Sequence, residues 1–317
     1  MINNKKLISI ISPCYNEGVA IYDCYEAIKK IFSEKLIDYS YEHIFCDNSS
    51  KDNSSKILRE LAEKDKRVKI IFNGNNFGSQ KSIWNSLKYT SGDAVIMFLP
   101  IDLQDPPELI IDFVKNWEKG FDFVYGTRDS RQESLTMRTT RKLFYKLINL
   151  GSSNKIPMNI SDYQLVDKKI IKEMLDINDL TPFIRTIPFF KTDNHKKLSY
   201  EWKRRKIGKS KTLFGTLFDT AMNGLVSVTN APFRLILVSG FILSVLSIFY
   251  AFYNFIYLFF FRPDIERGIP LLIVALFFFS GVQLLVMGFL GEYLSSIHNQ
   301  VRNKDKVYVK ETINFDD

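Results

Sequence analysis

Apolar positions along the first 125 residues switch between two spacings. Leu7–Ser12 (LISIIS) is a short continuous apolar run closed by Pro13, which predicts a buried strand. From Val19 to about Phe32 the apolar positions recur at helical spacing. His43–Cys46 predicts a second strand, and the polar stretch Asp47–Ser54 is a turn able to cap a helix over Ser55–Lys64. Val68–Phe72 predicts a third strand, Gln80–Thr90 a helix, Ala94–Leu99 a fourth strand, Glu108–Lys119 a helix and Phe123–Tyr125 a strand. Strands alternating with helices imply βαβ units, an α/β fold class and a mainly parallel sheet. No internal repeat interrupts the pattern.

Beyond Gly126 the pattern loosens. Thr127–Thr140 is polar with several arginines, Arg141–Leu150 reads as helical, Asp162–Asp167 as an edge strand and Lys168–Asp176 as a helix. Thr212 to about Val228 has one apolar side (Leu213, Phe214, Leu217, Phe218, Met222), as a helix lying on a membrane surface would. Two uncharged stretches follow. Leu235–Phe261 lies between Arg234 and Arg262, and Gly268–Gly291 between Arg267 and Glu292. About 20 apolar residues cross a bilayer core, so each is long enough to span, and the short gap makes the pair a hairpin.

Charge orients this arrangement. The net charge is +8, and eight Lys or Arg against one Glu fall between Lys196 and Lys211. With Arg302, Lys304, Lys306 and Lys310 they lie on one side of the hairpin, which puts both termini in the cytosol. The expected organisation is a cytosolic catalytic domain over 1–211, a juxtamembrane amphipathic helix over 212–233, a hairpin over 234–297 with spans 235–261 and 269–291, and a cytosolic tail over 298–317. The protein is then a multi-pass protein of the cell (inner) membrane, partnered by the lipid bilayer. Asn254 and Gln283 inside the spans suit helix–helix contacts or a homo-oligomer. Three early cysteines give no disulfide framework, and the polar Met1–Lys6 is no signal peptide. A basic cluster beside membrane spans, without a nucleic-acid motif, argues against nucleic-acid binding.

Four loops at strand ends carry candidate chemistry. Pro13–Glu17 offers a ring at Tyr15 and an acceptor at Glu17. Asp47 ends the second strand and is either an acceptor for a base N–H or the centre of an Asx turn. Asn75–Lys81 opens a helix, where the N-terminus and Lys81 favour an anion. In the fourth loop, Asp102 and Gln104 follow a buried strand, with Asp105 placed to cap a helix whose first turn holds Pro106, Pro107 and Glu108. A carboxylate beside an amide oxygen suits Mg²⁺ or Mn²⁺ with diphosphate oxygens completing the shell.

These stretches, with Gly126–Arg131 (GTRDSR), Asp162–Leu165, Arg205–Lys211, the DLQDPPE run at Asp102–Glu108 and the terminal hairpin, resemble glycosyltransferase family 2. The resemblance is to the branch containing dolichyl-phosphate mannose synthase and bacterial undecaprenyl-phosphate sugar transferases. It implies a GT-A fold, a nucleotide-sugar donor (a UDP-sugar first), Mg²⁺ or Mn²⁺, a polyprenyl-phosphate acceptor and inverting transfer at the cytosolic face. Carried onto this chain, Pro13, Tyr15, Glu17 and Asp47 look like the nucleoside pocket, with Lys81 and Lys211 on the nucleotide. Asp102 and Gln104 look like metal ligands. Asp102, Asp162 and Arg205 form the implied catalytic set, Arg205 with Lys209 and Lys211 closing over the diphosphate. Arg128 and Arg131 resemble an acceptor-phosphate clamp, with Arg138 and Arg141 as further members. Three positions depart from the family pattern. Pro100 stands where a first carboxylate is usual, Ser161–Leu165 has Gln164 in place of a cation, and Asp47–Ser50 replaces an Asp-Asp-Gly-Ser turn. The alternatives are a non-catalytic membrane protein that binds nucleotide sugars, and a transferase acting on a lipid-linked sugar.

Overall fold

A computed structural model of the chain describes residues 5–130, 135–149, 155–177, 182–202, 268–302 and 306–315, with single helical positions between 236 and 256. Eight strands form one sheet in the order β7-β5-β6-β4-β1-β2-β3-β8. The strands are β1 Leu7–Cys14, β2 Ser40–Asp47, β3 Val68–Asn73, β4 Ala94–Ile96, β5 Phe123–Ser130, β6 Ile160–Asp167, β7 His195–Glu201 and β8 Val309–Ile313. Parallel pairing of β1 with β2 and β4, and of β2 with β3, gives the βαβ half the sequence predicts. β6 runs antiparallel to both β4 and β5, β7 parallel to β5, and β8 antiparallel to β3. Six strands therefore point one way, and only β6 and β8 oppose them. The C-terminal ends of the six and the starts of β6 and β8 share one edge.

Helices cover both faces. α1 (Gly18–Glu34) buries Ile21, Cys24, Tyr25, Ile28, Ile31 and Phe32, a stripe at spacings of three and four. α2 (Ser54–Lys64) and α4 (Leu109–Glu118) join it on one face, while α3 (Ser79–Ser86), α5 (Leu135–Ile148) and α6 (Lys168–Leu175) cover the other. Strand alternation sorts the core accordingly. Ile8 and Ile10 pack on the α1 side and Ile11 on the α3 side, all three fully buried. Each such side chain contributes about 1.5–3 kcal/mol relative to exposure.

Several expectations need correction. Residues 162–167 are not an edge strand: β6 lies inside the sheet, because it pairs antiparallel with β4 on one side and with β5 on the other. Asp105 does not cap α4, which begins at Leu109 with Glu108 at the cap position. The strand expected over Phe123–Tyr125 is longer, β5 running to Ser130, and the helix expected from Arg141 starts earlier, α5 beginning at Leu135. Residues 298–317 are not simply a tail, since they hold the eighth strand. Regular pairing in β4 ends at Ile96, yet the predicted run to Leu99 persists in part. Met97 N–H donates to Gln164 O at 2.9 Å and Leu99 N–H to Ile11 O at 2.9 Å, before Pro100, which has no N–H, ends it.

The second uncharged stretch lies inside α7 (Gly268–Arg302), a helix of 35 residues. Among the described residues it alone is long and apolar enough to cross a membrane, over Phe278–His298, and none of that window is buried. Most of 235–261 and all of 212–233 lie outside the described residues, as do Arg131, Arg205, Lys209 and Lys211.

Candidate active site

At the shared edge the loops after β1 and β2 are bound into each other. Asn16 N–H donates to Ser50 Oγ at 2.9 Å, Lys51 N–H to Asn16 Oδ1 at 2.7 Å, Glu17 N–H to Ser54 Oγ at 3.1 Å and Gly18 N–H to Asp52 Oδ2 at 3.2 Å. Two turns in left-handed backbone, Asn16 at φ 54° and Ser49 at φ 62°, make this interlock. Asp47 is buried at its centre. Its carboxylate accepts from Ser50 N–H at 3.2 Å, Ser55 Oγ at 3.1 Å and the Ser50 hydroxyl. The Asx-turn alternative thus accounts for Asp47: it organises the loop. Tyr15 and Glu17 remain half-buried at the rim.

Behind this pocket a neutral network joins β2, β3 and α3. Asn48 Oδ1 accepts from Asn73 Nδ2 at 3.0 Å and from Ser82 Oγ at 2.6 Å, all three residues being buried. The network fixes the start of α3, where Gly78 enters at φ 81°, a conformation glycine adopts without strain. Lys81 lies half-buried in the first turn.

The loop after β4 turns at Leu103, a large residue held at φ 51°, whose N–H donates to Pro100 O at 3.0 Å. A bulky side chain in that region costs on the order of 1–3 kcal/mol, so its surroundings must hold it there. Leu103 packs against the main core. The residues either side, Asp102 and Gln104, are half-buried, and Gln104 N–H donates to Asp102 Oδ1 at 3.3 Å. Among the described residues no three His, Cys, Asp or Glu gather as a self-sufficient metal site. A lone carboxylate with a neighbouring amide fits a hard divalent cation whose remaining ligands come from diphosphate and water.

Asp105 is fully buried and clamps this loop to the far half of the sheet. Arg128 meets it side-on, Nε to Oδ1 at 3.0 Å and Nη2 to Oδ2 at 2.7 Å. The Tyr200 hydroxyl also donates to Asp105 and lies 2.9 Å from Ser161 Oγ, while Tyr163 OH donates to Pro106 O at 3.2 Å. Strands β5, β6 and β7 are thereby all fastened to residues 105–107. Burial would lower the Arg128 pKa, but the Asp105 carboxylate and Tyr200 outweigh it and hold the guanidinium charged, while burial and Asp105 raise that of Tyr200. Arg128, expected on an acceptor phosphate, is committed here to Asp105.

On β6, Asp162 is held bidentately by Arg185, Nε to Oδ1 at 3.1 Å and Nη2 to Oδ2 at 2.9 Å. The buried Gln164 amide donates to Arg185 O at 3.0 Å and fixes that segment. Arg141 Nη1 donates to Asn159 Oδ1 at 3.1 Å, and Asn159 O accepts from Arg128 N–H at 3.2 Å, so two of the four predicted arginines meet around one asparagine. Arg138 belongs to α5; the described structure covers its backbone only. The edge thus brings together Pro13, Tyr15, Glu17, Asp47, Lys81, Asp102, Gln104, Arg128 and Asp162. Sequence reasoning missed Arg185, Tyr200, Asn159 and the true partner of Asp105. A charged residue in an apolar run (Phe183–Ile184–Arg185) is the one signal that could have marked Arg185.

Residues 9–175 match the profile of Glycosyl transferase family 2. The chain is 31% identical over 305 residues to the uncharacterized glycosyltransferase YkcC of Bacillus subtilis, covering 96% of this chain and 93% of that one. It is also 31% identical over 306 residues to the SfII prophage-derived bactoprenol glucosyl transferase of Shigella flexneri, covering 96% of this chain and 98% of that one. Among solved structures it resembles glucosyl-3-phosphoglycerate synthase of Mycobacterium tuberculosis, with a TM-score of 0.48 and 18% identity over 71% of this chain and 80% of that chain. The profile, which spans more than half of the chain, and the full-length relatives establish that this chain is a glycosyltransferase enzyme and belongs to glycosyl transferase family 2.

Proposed function

We propose that the enzyme transfers a sugar from a nucleotide-sugar to a polyprenyl phosphate at the cytosolic face of the cell membrane, with inversion. The observation that carries this is the convergence at one edge of the interlocked Tyr15–Asp52 loops, the Asp102–Gln104 turn and the ion-paired Asp162. The name of the Shigella flexneri relative supports the same acceptor class, bactoprenol, and a glucosyl donor, with UDP-glucose the first to test.

In this reading Tyr15 and Glu17 receive the nucleoside, and Asp47 acts indirectly by holding their loop. Asp102 and Gln104 would hold Mg²⁺ or Mn²⁺, which when bound neutralises charge on the departing diphosphate. A phosphate oxygen of the acceptor attacks the anomeric carbon from the face opposite the diphosphate. The bond from that carbon to the diphosphate oxygen breaks, and the nucleoside diphosphate leaves. A phosphate monoester is already mostly dianionic at neutral pH, so no strong base is required. Asp162, held bidentately by Arg185, orients the acceptor. Arg141, with Arg131 and Arg138, receives its phosphate, and Arg205 and Lys211 cover the donor.

Membrane anchoring gains support from chain connectivity. β8 lies in the same sheet as β1–β7, so residues 202 and 306 are on one side of any bilayer. If α7 crosses, a second crossing must lie between 203 and 267, and the uncharged 235–261 stretch is long enough to be it. The basic flanks favour a cytosolic side for the sheet. The domain limits 1–211, 212–233, 234–297 and 298–317 follow, with the last segment contributing β8.

The test is purified full-length protein given a panel of nucleotide sugars and undecaprenyl phosphate, with and without chelator. A sugar-1-phosphoryl lipid formed only with metal is expected. Sugar appearing solely on a lipid-linked saccharide would overturn the acceptor assignment.

A further inference from the structure

The two chain segments that lead toward α7 leave the sheet from its two outermost strands, at the same edge. β7 ends the order on one side and β8 on the other, and seven interstrand steps of about 4.8 Å put them about 34 Å apart. β7 runs with β1, so its end at Glu201 lies at the edge carrying Asp102. β8 runs against β3, and its start, Val309, faces Asn73 at that same edge. The connection on the β8 side is short. Arg302, the last residue of α7, and Tyr308, whose carbonyl accepts from Gly74 N–H at 2.8 Å, are six residues apart and so at most about 22 Å.

β8 is firmly seated. Arg59 grips Glu311 with two bonds of 2.6 Å. Asn314 Nδ2 donates to Ala62 O and to Val68 O, both at 2.8 Å. Phe315 packs on Tyr89 with ring centroids 5.4 Å apart. The Tyr308 ring lies where a Cβ on Gly74 would come within 2.3 Å of it, so a larger residue there would push this exposed ring aside. Of these contacts only those of Tyr308 reach the loop between β3 and α3; the others hold β8 to α2, β3 and Tyr89.

We propose that β8 is a strap: through a connection of at most about 22 Å it ties the catalytic edge to the end of α7 and so fixes the height of that edge for a lipid acceptor. This rests on the reading of the enzyme as a membrane-bound transferase. Because β8 is seated in the sheet beside β3, the short connection limits how far the edge can move away from the end of α7.

The experiment lengthens the strap in the full chain without undocking β8, by inserting a twelve-residue Gly/Ser segment after Lys304, beside a second variant, Thr312→Pro, that breaks β3–β8 pairing. Transfer to undecaprenyl phosphate in vesicles should fall at least 10-fold in the insertion variant. Transfer to a detergent-free, water-soluble short-chain prenyl phosphate should stay within about 2-fold of the parent. Energy transfer from a dye at Ser33→Cys to a headgroup dye in the same vesicles should change with the insertion. An insertion variant equal to the parent in vesicle transfer and in energy transfer overturns the strap. A parent enzyme that transfers to neither acceptor, but whose energy transfer still shifts on insertion, upholds the strap and overturns the functional reading instead. Thr312→Pro should reproduce the insertion phenotype; normal vesicle transfer with β3–β8 pairing broken also overturns the proposal.

Discussion

The two halves of the catalytic edge are built from different interactions. On the β1–β3 side, backbone N–H groups of one loop meet Ser, Asn and Asp side chains of the next, as in Asn16 to Ser50 and Glu17 to Ser54. On the β5–β7 side the geometry rests on side-on ion pairs, Asp105 with Arg128 and Asp162 with Arg185. The first kind is redundant and individually modest. The second concentrates the cost in two guanidinium–carboxylate pairs, most of all at the buried Asp105, because a guanidinium that loses its carboxylate there is left partly desolvated and unpaired. The donor half should therefore degrade gradually under mutation and the acceptor half abruptly.

The largest effect expected from this contrast is on stability. Asp105→Ala leaves Arg128 without its carboxylate and removes one of the two acceptors within reach of the Tyr200 hydroxyl, which should cost about 3–5 kcal/mol. Thermal unfolding of the full chain reads this directly. Arg128→Met added to Asp105→Ala should recover part of the loss, since the stranded charge is gone. A double variant as unstable as the sum of the singles would show that the pair is not coupled.

Next comes an effect on rate with little effect on stability. Asp102→Ala should lower transfer about 100-fold or more while unfolding stays near that of the parent. Asp102 and Asp105 are three residues apart, so opposite behaviour of the two variants separates the working carboxylate from the structural one. Full activity in Asp102→Ala would remove this turn from the site.

That division bears on what the sequence made legible. The β1–β4 half was readable because its strands, caps and turns are local. Apolar runs ending in Pro13, Asp47 and Pro100 mark strand ends, and strand ends in such sheets are where ligands lie. The Asp105 assignment failed for a physical reason. Asp followed by two prolines fits a helix cap, but the carboxylate instead finds Arg128 and Tyr200, 23 and 95 residues away, and no local pattern encodes such a pairing. β6 was misplaced likewise: whether a segment sits at an edge or inside depends on which strands pair on its two sides, here β4 and β5, and no local pattern encodes those partners. β8 was missed because Val309–Ile313 is short and holds three consecutive polar residues, Lys310, Glu311 and Thr312, between two apolar ones, beside a far louder apolar helix.

The donor half has one concealed charge sensitivity, and it should appear with pH. His43 on β2 is fully buried, its Nε2 2.9 Å from Ser12 Oγ and its Nδ1 without a partner. Burial drives its pKa down from 6.5 to about 3. Above pH 6.5 the ring is neutral in folded and unfolded chains and contributes no pH dependence. As pH falls from 6.5 toward 3 the unfolded chain takes up the proton and the folded one does not, so stability drops by about 1.4 kcal/mol per unit. Between pH 6.5 and 5.0 the parent should lose about 2 kcal/mol more than His43→Gln. Parallel curves for the two would place the acid sensitivity elsewhere.

The smallest effect tests the interlock itself. Ser50 Oγ accepts from Asn16 N–H and donates to Asp47, so Ser50→Ala removes two bonds at once. Each is worth about 1 kcal/mol, and water can replace part of the loss at a half-buried site. The fold should survive with a slightly lower Tm. Loosening the Tyr15–Glu17 loop should appear as a several-fold rise in KM for the nucleotide sugar, with kcat nearly unchanged. Ser50→Thr, which keeps the hydroxyl, should restore KM. If kcat falls instead and threonine does not rescue it, the loop is taking part in the chemical step, and the division between a positioning donor half and a charge-held acceptor half fails at this residue.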